Sequence, residues 1–244
     1  MTAVEILHVS LLGHVENIEK IAAACAKATK QRESAADLLG QLNLESARKY
    51  LGTVLSRGHE GIAEFAYFVF SVSGVSRVLT HQLVRHRIAS YLQMSSRDID
   101  LSLTGYVMPP EVAKNPQTKK TFSESMKKSS ASYKDLLEKG INFEDARYLL
   151  PDGIETHIAI AMNARSLNHL FGMRLCTRAQ WEIRELARQM RELVRSIAPS
   201  LFWSEPRPCV IRGYCPEGKD SCGFWKTKEF KQEQRRHDKG YPHE

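Results

Sequence analysis

Apolar residues recur at helical spacing in several stretches of the chain. Residues 18–30 are alanine-rich, with Ile18, Ile21 and Cys25 on one side, and predict a helix. Residues 37–55 carry Leu38, Leu39, Leu42, Ala47, Leu51, Val54 and Leu55 and predict a single second helix that stops near Gly58. Val75, Val78, Leu79 and Leu83 fall at steps of three, one and four, again helical, which would set Gln82 and Arg85 on one face. Residues 117–140 form a polar, lysine-rich helix with Phe122, Met126, Tyr133, Leu136 and Leu137 as its apolar stripe. Residues 143–150 continue as a short helix stopped by Pro151. Residues 163–173 begin at Asn163, a good N-cap. Ile183, Leu186, Met190, Leu193 and Ile197 mark a long amphipathic helix closed by Pro199.

Other stretches read as strands. Residues 5–10 and 65–73 are short and apolar, the second rich in aromatic and β-branched side chains. Residues 156–162 alternate Ile158, Ile160 and Met162 with alanines. Residues 98–117 read as irregular, because Pro109, Pro110 and Pro116 interrupt regular helix. Together these elements predict an α+β fold, a central mixed or antiparallel sheet flanked by helices. Residues 1–203 would form the main α+β domain and 204–244 a cysteine-bearing, partly mobile extension.

The chain has 244 residues, enough for a sizeable core. There is no run of 18 apolar residues and no secretory leader pattern over residues 1–12, so neither a membrane span nor export is expected. Five cysteines, an odd number, do not look like a secreted disulfide framework, and a cytoplasmic location follows. The net charge of +7 favours anionic partners without choosing among nucleotides, cofactors and nucleic acid.

The candidate chemistry concentrates in residues 82–97. Arg85, His86, Arg87 and Arg97 fall within thirteen residues, interleaved with Ser90, Gln93, Ser95 and Ser96. Guanidinium forks and hydroxyls together suit a phosphate. The same cluster also fits a solvated basic face. A helix opening at Asn163 adds an N-terminus that favours an anion. Ser95 has no histidine or aspartate at triad spacing, so a phosphate-binding hydroxyl fits it better than a nucleophile. Cys209, Cys215 and Cys222 lie six and seven apart. They fit a merely folded or stapled tail, or a zinc site completed by Cys176 or His237; with no paired CxxC, no metal is expected.

Arg85-His86-Arg87, then Ser90, Ser95 and Arg97, resembles the RHRxxSxxxxSxR signature of flavin-dependent thymidylate synthases. Two more blocks agree in order: Gly58-His59-Glu60 with Glu64 upstream, and Asn163-Ala164-Arg165 through Arg174 to Arg184 downstream. The resemblance implies reductive methylation of dUMP to dTMP, with 5,10-methylenetetrahydrofolate as carbon donor, FAD as cofactor and NADPH as reductant. It implies a homotetramer with shared sites and places Arg174 against the pyrimidine ring as the catalytic residue. Gln82, Arg85, Gln93, Ser95, Ser96, Arg97 and Arg147 would join Arg174 in holding dUMP. His59, Gly61, Arg85, His86, Arg87, Gln93, Asn163, Arg165 and His169 would hold FAD.

The chain departs from the family at Leu92, Gln93 and Met94, where Asn-Glu-Gln is commoner, and at Asp98, where a tyrosine usually follows the last arginine. Gly61 stands where a flavin-contacting Ser or Thr is common. A relative that binds nucleotide and flavin without turning over would also fit these departures. The +7 charge fits a nucleic-acid-binding protein too, but no basic tract, zinc-finger spacing or RNA-binding motif accompanies it, and no nucleic-acid partner is expected.

Overall fold

The computed structural model describes residues 2–4 and 7–239. In chain order the elements are β1 (Ala3–Val4), β2 (His8–His14), α1 (Ile18–Ala28), α2 (Ala35–Gln41), α3 (Leu44–Ser56), β3 (Tyr67–Ser76), α4 (Arg77–Leu83) and β4 (Ser90–Gln93). Then come β5 (Tyr106–Val107), α5 (Pro110–Ala113), α6 (Pro116–Glu138), α7 (Phe143–Ala146), β6 (Glu155–Asn163), α8 (Ala164–Arg174), α9 (Trp181–Ile197), α10 (Pro208–Arg212) and α11 (Lys228–Asp238). The fold is α+β, as the sequence predicts. A four-stranded sheet has the order β2-β3-β6-β4. A second sheet pairs β1 with β5 in parallel, Ala3 opposite Tyr106 and Val4 opposite Val107.

Several expectations need correction. The helix expected over 37–55 is two helices: Leu42 is extended (φ −76°, ψ 128°) and Asn43 accepts a hydrogen bond from the Ser46 amide, starting α3 afresh. The apolar stripe continues across the break, with Leu38, Leu42, Ala47 and Leu51 all buried, so periodicity alone hides it. Val75 belongs to β3 rather than to a helix. Ser76 caps α4, taking the Leu79 amide at 3.1 Å, and the helix ends at Leu83. Arg85 therefore lies beyond the helix and does not share its face with Gln82. Residues 90–93, inside the candidate stretch 82–97, form β4. Pro110 and Pro116 interrupt nothing, because each sits in the first turn of a helix, where the missing N–H costs nothing. Residues 228–238, part of the extension expected to be partly mobile, form a helix, with Thr227 capping through the Phe230 amide. Of the strand expected over 5–10, Glu5 and Ile6 lie outside the described residues, and β2 begins at His8. The last five residues of the expected mobile tail, 240–244, also lie outside them.

The chain resolves into two compact units. One holds residues 1–10, 71–85 and 91–160; the other holds 11–70, 86–90 and 161–244. In the first, Leu101, Tyr106, Met126, Tyr133, Ala146 and Ile154 form a buried core against the apolar face of α6. The Tyr133 hydroxyl, inside that core, accepts the Leu101 amide at 3.2 Å, which satisfies both groups away from water. In the second, Phe68, Phe171 and Phe202 pack ring against ring, with centroids 5.7 and 6.0 Å apart for the two pairs that share Phe202. Glu19, nearly fully buried, binds Arg48 at 2.6 Å and both the amide and hydroxyl of Ser200, fastening α1 to the segment after α9.

Candidate active site

In the first unit the signature loop is fixed from both sides. The Tyr91 hydroxyl on β4 donates to the Leu83 carbonyl at the end of α4, at 3.0 Å, and burial pushes that phenol up to about 12. The Gln93 amide donates to Thr156 Oγ1 on β6 at 3.3 Å. The chain then turns through Ser95, Ser96 and Arg97.

Glu144, on the single turn α7, gathers the next residues. Its carboxylate takes Arg97 Nε at 3.1 Å and its carbonyl takes Arg147 Nε at 3.0 Å. Arg147 Nη1 reaches the buried Ser96 hydroxyl at 3.2 Å. Beside them Ser95 Oγ accepts the Arg97 amide at 3.1 Å and donates to the Asp98 carboxylate at 2.5 Å. The structure thus brings together Ser95, Ser96, Arg97 and Arg147 as predicted. It adds Glu144, which the sequence reading missed although it stands three residues before Arg147 on a predicted helix. Arg97 and Glu144 are 65% and 43% exposed, so their ion pair contributes roughly 0–1 kcal/mol and exchanges readily. Gln82 lies along α4, its amide 3.5 Å from the Val78 carbonyl. Arg85 is exposed and makes no side-chain bond among the described residues.

In the second unit β6 runs directly into α8. Asn163, at the junction, is buried, and its Oδ1 takes the Ser166 amide at 2.9 Å. Arg165 and His169 follow on the exposed side of α8, four residues apart and so on one face. Arg165 is clamped by Glu64 at 2.5 Å and Glu60 at 3.7 Å, which raises its already high pKa. His59 precedes the 3-10 turn Glu60–Phe65, and a Cβ placed on Gly61 in that turn meets nothing within 4 Å.

Arg174 closes α8, where a cation complements the helix dipole. Its Nε donates to His86 Nε2 at 3.0 Å, and His86 in turn sets its ring against His169, centroids 5.8 Å apart at 65°. Burial, then the Arg174 charge, then His169 depress the His86 pKa to about 4, so the imidazole is neutral at pH 7. Burial also lowers Arg174 somewhat, and it remains a cation. Arg87, next to His86, is exposed. The predicted set thus falls into two groups. Gln82, Arg85, Gln93, Ser95, Ser96, Arg97 and Arg147 belong to one unit; His59, Gly61, His86, Arg87, Asn163, Arg165, His169 and Arg174 belong to the other.

The tail meets the loop after Arg174: Arg178 donates to the Asp220 carbonyl at 2.7 Å, and a hydrogen bond with Thr177 lowers the Cys222 thiol pKa. All five cysteines are free, and among the described residues no three His, Cys, Asp or Glu side chains are grouped to hold a metal ion.

Fold and side chains define an α+β protein whose guanidinium–hydroxyl loop suits a phosphate and whose Arg165 and His169 share one exposed helix face. A family profile described as thymidylate synthase complementing protein matches residues 10–200. Curated relatives called flavin-dependent thymidylate synthase agree over most of the chain. The Clostridium tetani protein is 41% identical over 91% of this chain and 95% of its own. The Geobacter sulfurreducens protein is 38% identical over 89% and 94%. The chain therefore belongs to the flavin-dependent thymidylate synthase family, a family of methyltransferase enzymes. A crystal structure of a UMP/dUMP methylase, PolB, from Streptomyces cacaoi bound with 5-Br dUMP shares the fold. Its TM-score is 0.73 at 19% identity, over 83% of this chain and 95% of that one.

Proposed function

We propose that this protein converts dUMP to dTMP, with 5,10-methylenetetrahydrofolate as carbon donor, FAD as cofactor and NADPH as the source of reducing equivalents. The observation that carries the reading is the cluster around Glu144. Arg97, Arg147, Ser95 and Ser96 offer charged forks and hydroxyls of the kind a nucleotide phosphate needs, in a member of this family. The 5-Br dUMP bound to the PolB neighbour supports the same ligand class.

In this reading Ser95, Ser96, Arg97, Arg147 and Arg85 hold the phosphate end of dUMP. Gln82, Gln93 and Arg174 address the base. Arg174 favours the N3-deprotonated ring, because a nearby cation stabilises the ionised form. Ser95 acts as a hydrogen-bond donor rather than a nucleophile. His59, Gly61, Arg85, His86, Arg87, Gln93, Asn163, Arg165 and His169 hold FAD. The exposed polar face of α8 with Arg165 and His169, and the open space beside Gly61, suit a dinucleotide. When bound and reduced, FAD supplies the hydride, and the protein supplies orientation and charge.

Catalysis belongs to residues 1–203, with 204–244 as an accessory, and the working form is a cytoplasmic homotetramer with shared sites. Leu92, Leu103 and Tyr148 are 79%, 85% and 84% exposed. Among the described residues no helix is long and apolar enough to cross a membrane.

The test is an assay of the purified protein for flavin absorbance, for NADPH oxidation that depends on dUMP and folate, and for dTMP. All three are expected. Bound flavin without dTMP would overturn the proposal and leave an impaired relative.

A further inference from the structure

The geometry points to a separate task for His86: its neutral imidazole is the positioning residue for Arg174, fixing the guanidinium without cancelling its charge. The inference rests on the reading of Arg174 as the cation that faces the pyrimidine.

Arg174 Nε donates to His86 Nε2 at 3.0 Å across a sequence separation of 88 residues. An imidazole nitrogen that accepts from a guanidinium carries no proton there, so the ring proton sits on Nδ1 and the ring is uncharged. Partial burial and the neighbouring Arg174 keep it so, and the edge contact with His169 limits rotation of the ring. A tether at Nε uses one of five N–H groups. The four on the terminal nitrogens stay available as the planar fork that reads a flat, electron-rich partner.

Arginines of the same unit are held in two ways: Arg178, Arg184 and Arg191 by backbone carbonyls, and four others by carboxylates. Arg48 is held by Glu19, Arg165 by Glu60 and Glu64, Arg188 by Glu185 and Glu192, and Arg207 by Glu205. Each is anchored by a group that neutralises it. Arg174 has no carboxylate within ion-pair distance among the described residues; its side-chain partner is the uncharged ring. A carboxylate at position 86 would hold the side chain as firmly and remove the positive field that favours N3 ionisation. Holding and neutralising are thus separable here.

The experiment compares His86→Gln, whose side-chain oxygen can accept in place of Nε2, with His86→Glu, which accepts and adds a negative charge. FAD content is followed by visible absorbance, because His86 also belongs to the proposed flavin set. The informative readout is the ratio of affinities for 5-fluoro-dUMP and dUMP, since fluorine makes N3–H more acidic. His86→Gln is expected to keep the wild-type ratio. His86→Glu is expected to lose about tenfold in the ratio, the equivalent of one unit in the N3 pKa, and more in kcat than in KM. Equal ratios in both variants, with wild type showing a preference, overturn the inference alone. A wild type that binds neither nucleotide overturns the functional reading instead. Imidazole ¹⁵N shifts of the wild-type protein at pH 7 give a check that needs no variant. An Nδ1–H tautomer at His86 supports the inference, and an Nε2–H tautomer or an imidazolium overturns it, including where a variant loses flavin or fails to fold.

Discussion

The roles proposed for Ser95, a hydroxyl on a phosphate, and Arg174, a guanidinium beside a charged ring, would fail differently when removed. Ser95→Ala deletes one donor from a set that keeps Ser96, Arg97 and Arg147, so dUMP affinity is expected to fall about five- to tenfold, roughly 1–1.5 kcal/mol, with turnover retained. Arg174→Ala removes the charge itself, and kcat is expected to fall by about a hundredfold or more. Steady-state kinetics with dUMP as the varied substrate separate the two. A serine variant with no turnover and unchanged dUMP affinity would mean covalent catalysis through Ser95. At this scale the sequence carried the residue types well and their partners poorly. Ser95, Ser96 and Arg97 were legible as a group because they are adjacent in the chain, whereas Arg147, 51 residues from Ser96, entered through the resemblance. The bond from Arg174 to His86 was not, since nothing local couples positions 88 apart.

At the scale of elements, α8 is the part that ties chemistry to packing. It starts on a buried cap at Asn163, presents Arg165 and His169 outward, and ends on Arg174. Its inner side is pressed against the segment before α10. A Cβ on Gly172 would stand 2.8 Å from the Pro206 carbonyl oxygen, a backbone atom that cannot swing aside. Gly172→Ala is therefore expected to destabilise by about 1–3 kcal/mol, through overpacking that outweighs the gain in helix propensity. Denaturant titration measures it, and a lowered kcat would follow from displacement of Arg174. A midpoint at or above wild type would contradict the close approach. Helices with strong periodicity, such as α9, and with visible caps, such as α8, were legible in the sequence. The boundary between α2 and α3 was not, because Leu38, Leu42, Ala47 and Leu51 keep the stripe running while only the backbone at Leu42 departs. The two-residue strands β1 and β5 leave no pattern to read.

For the whole molecule, His86 couples stability to pH. Its ordinary pKa near 6.5 applies to the unfolded chain and about 4 to the folded one, so between these values the unfolded state binds more protons. Its contribution is fully present above pH 6.5 and is lost as pH falls through 4. Stability from chemical denaturation should therefore decline across that window, and His86→Gln should flatten the decline. An unchanged slope in the variant would mean that other groups set the acid sensitivity.

The bonds Ser95–Asp98 and Arg97–Glu144 have one more consequence. Under the proposed function, the protein's own carboxylates would hold these donors before any nucleotide arrives. Docking is then a trade of one anion for another, so the loop keeps its shape between turnovers and the apparent affinity is discounted by the contacts surrendered. On the same reading, product release would run the trade backwards, with Asp98 and Glu144 re-engaging Ser95 and Arg97.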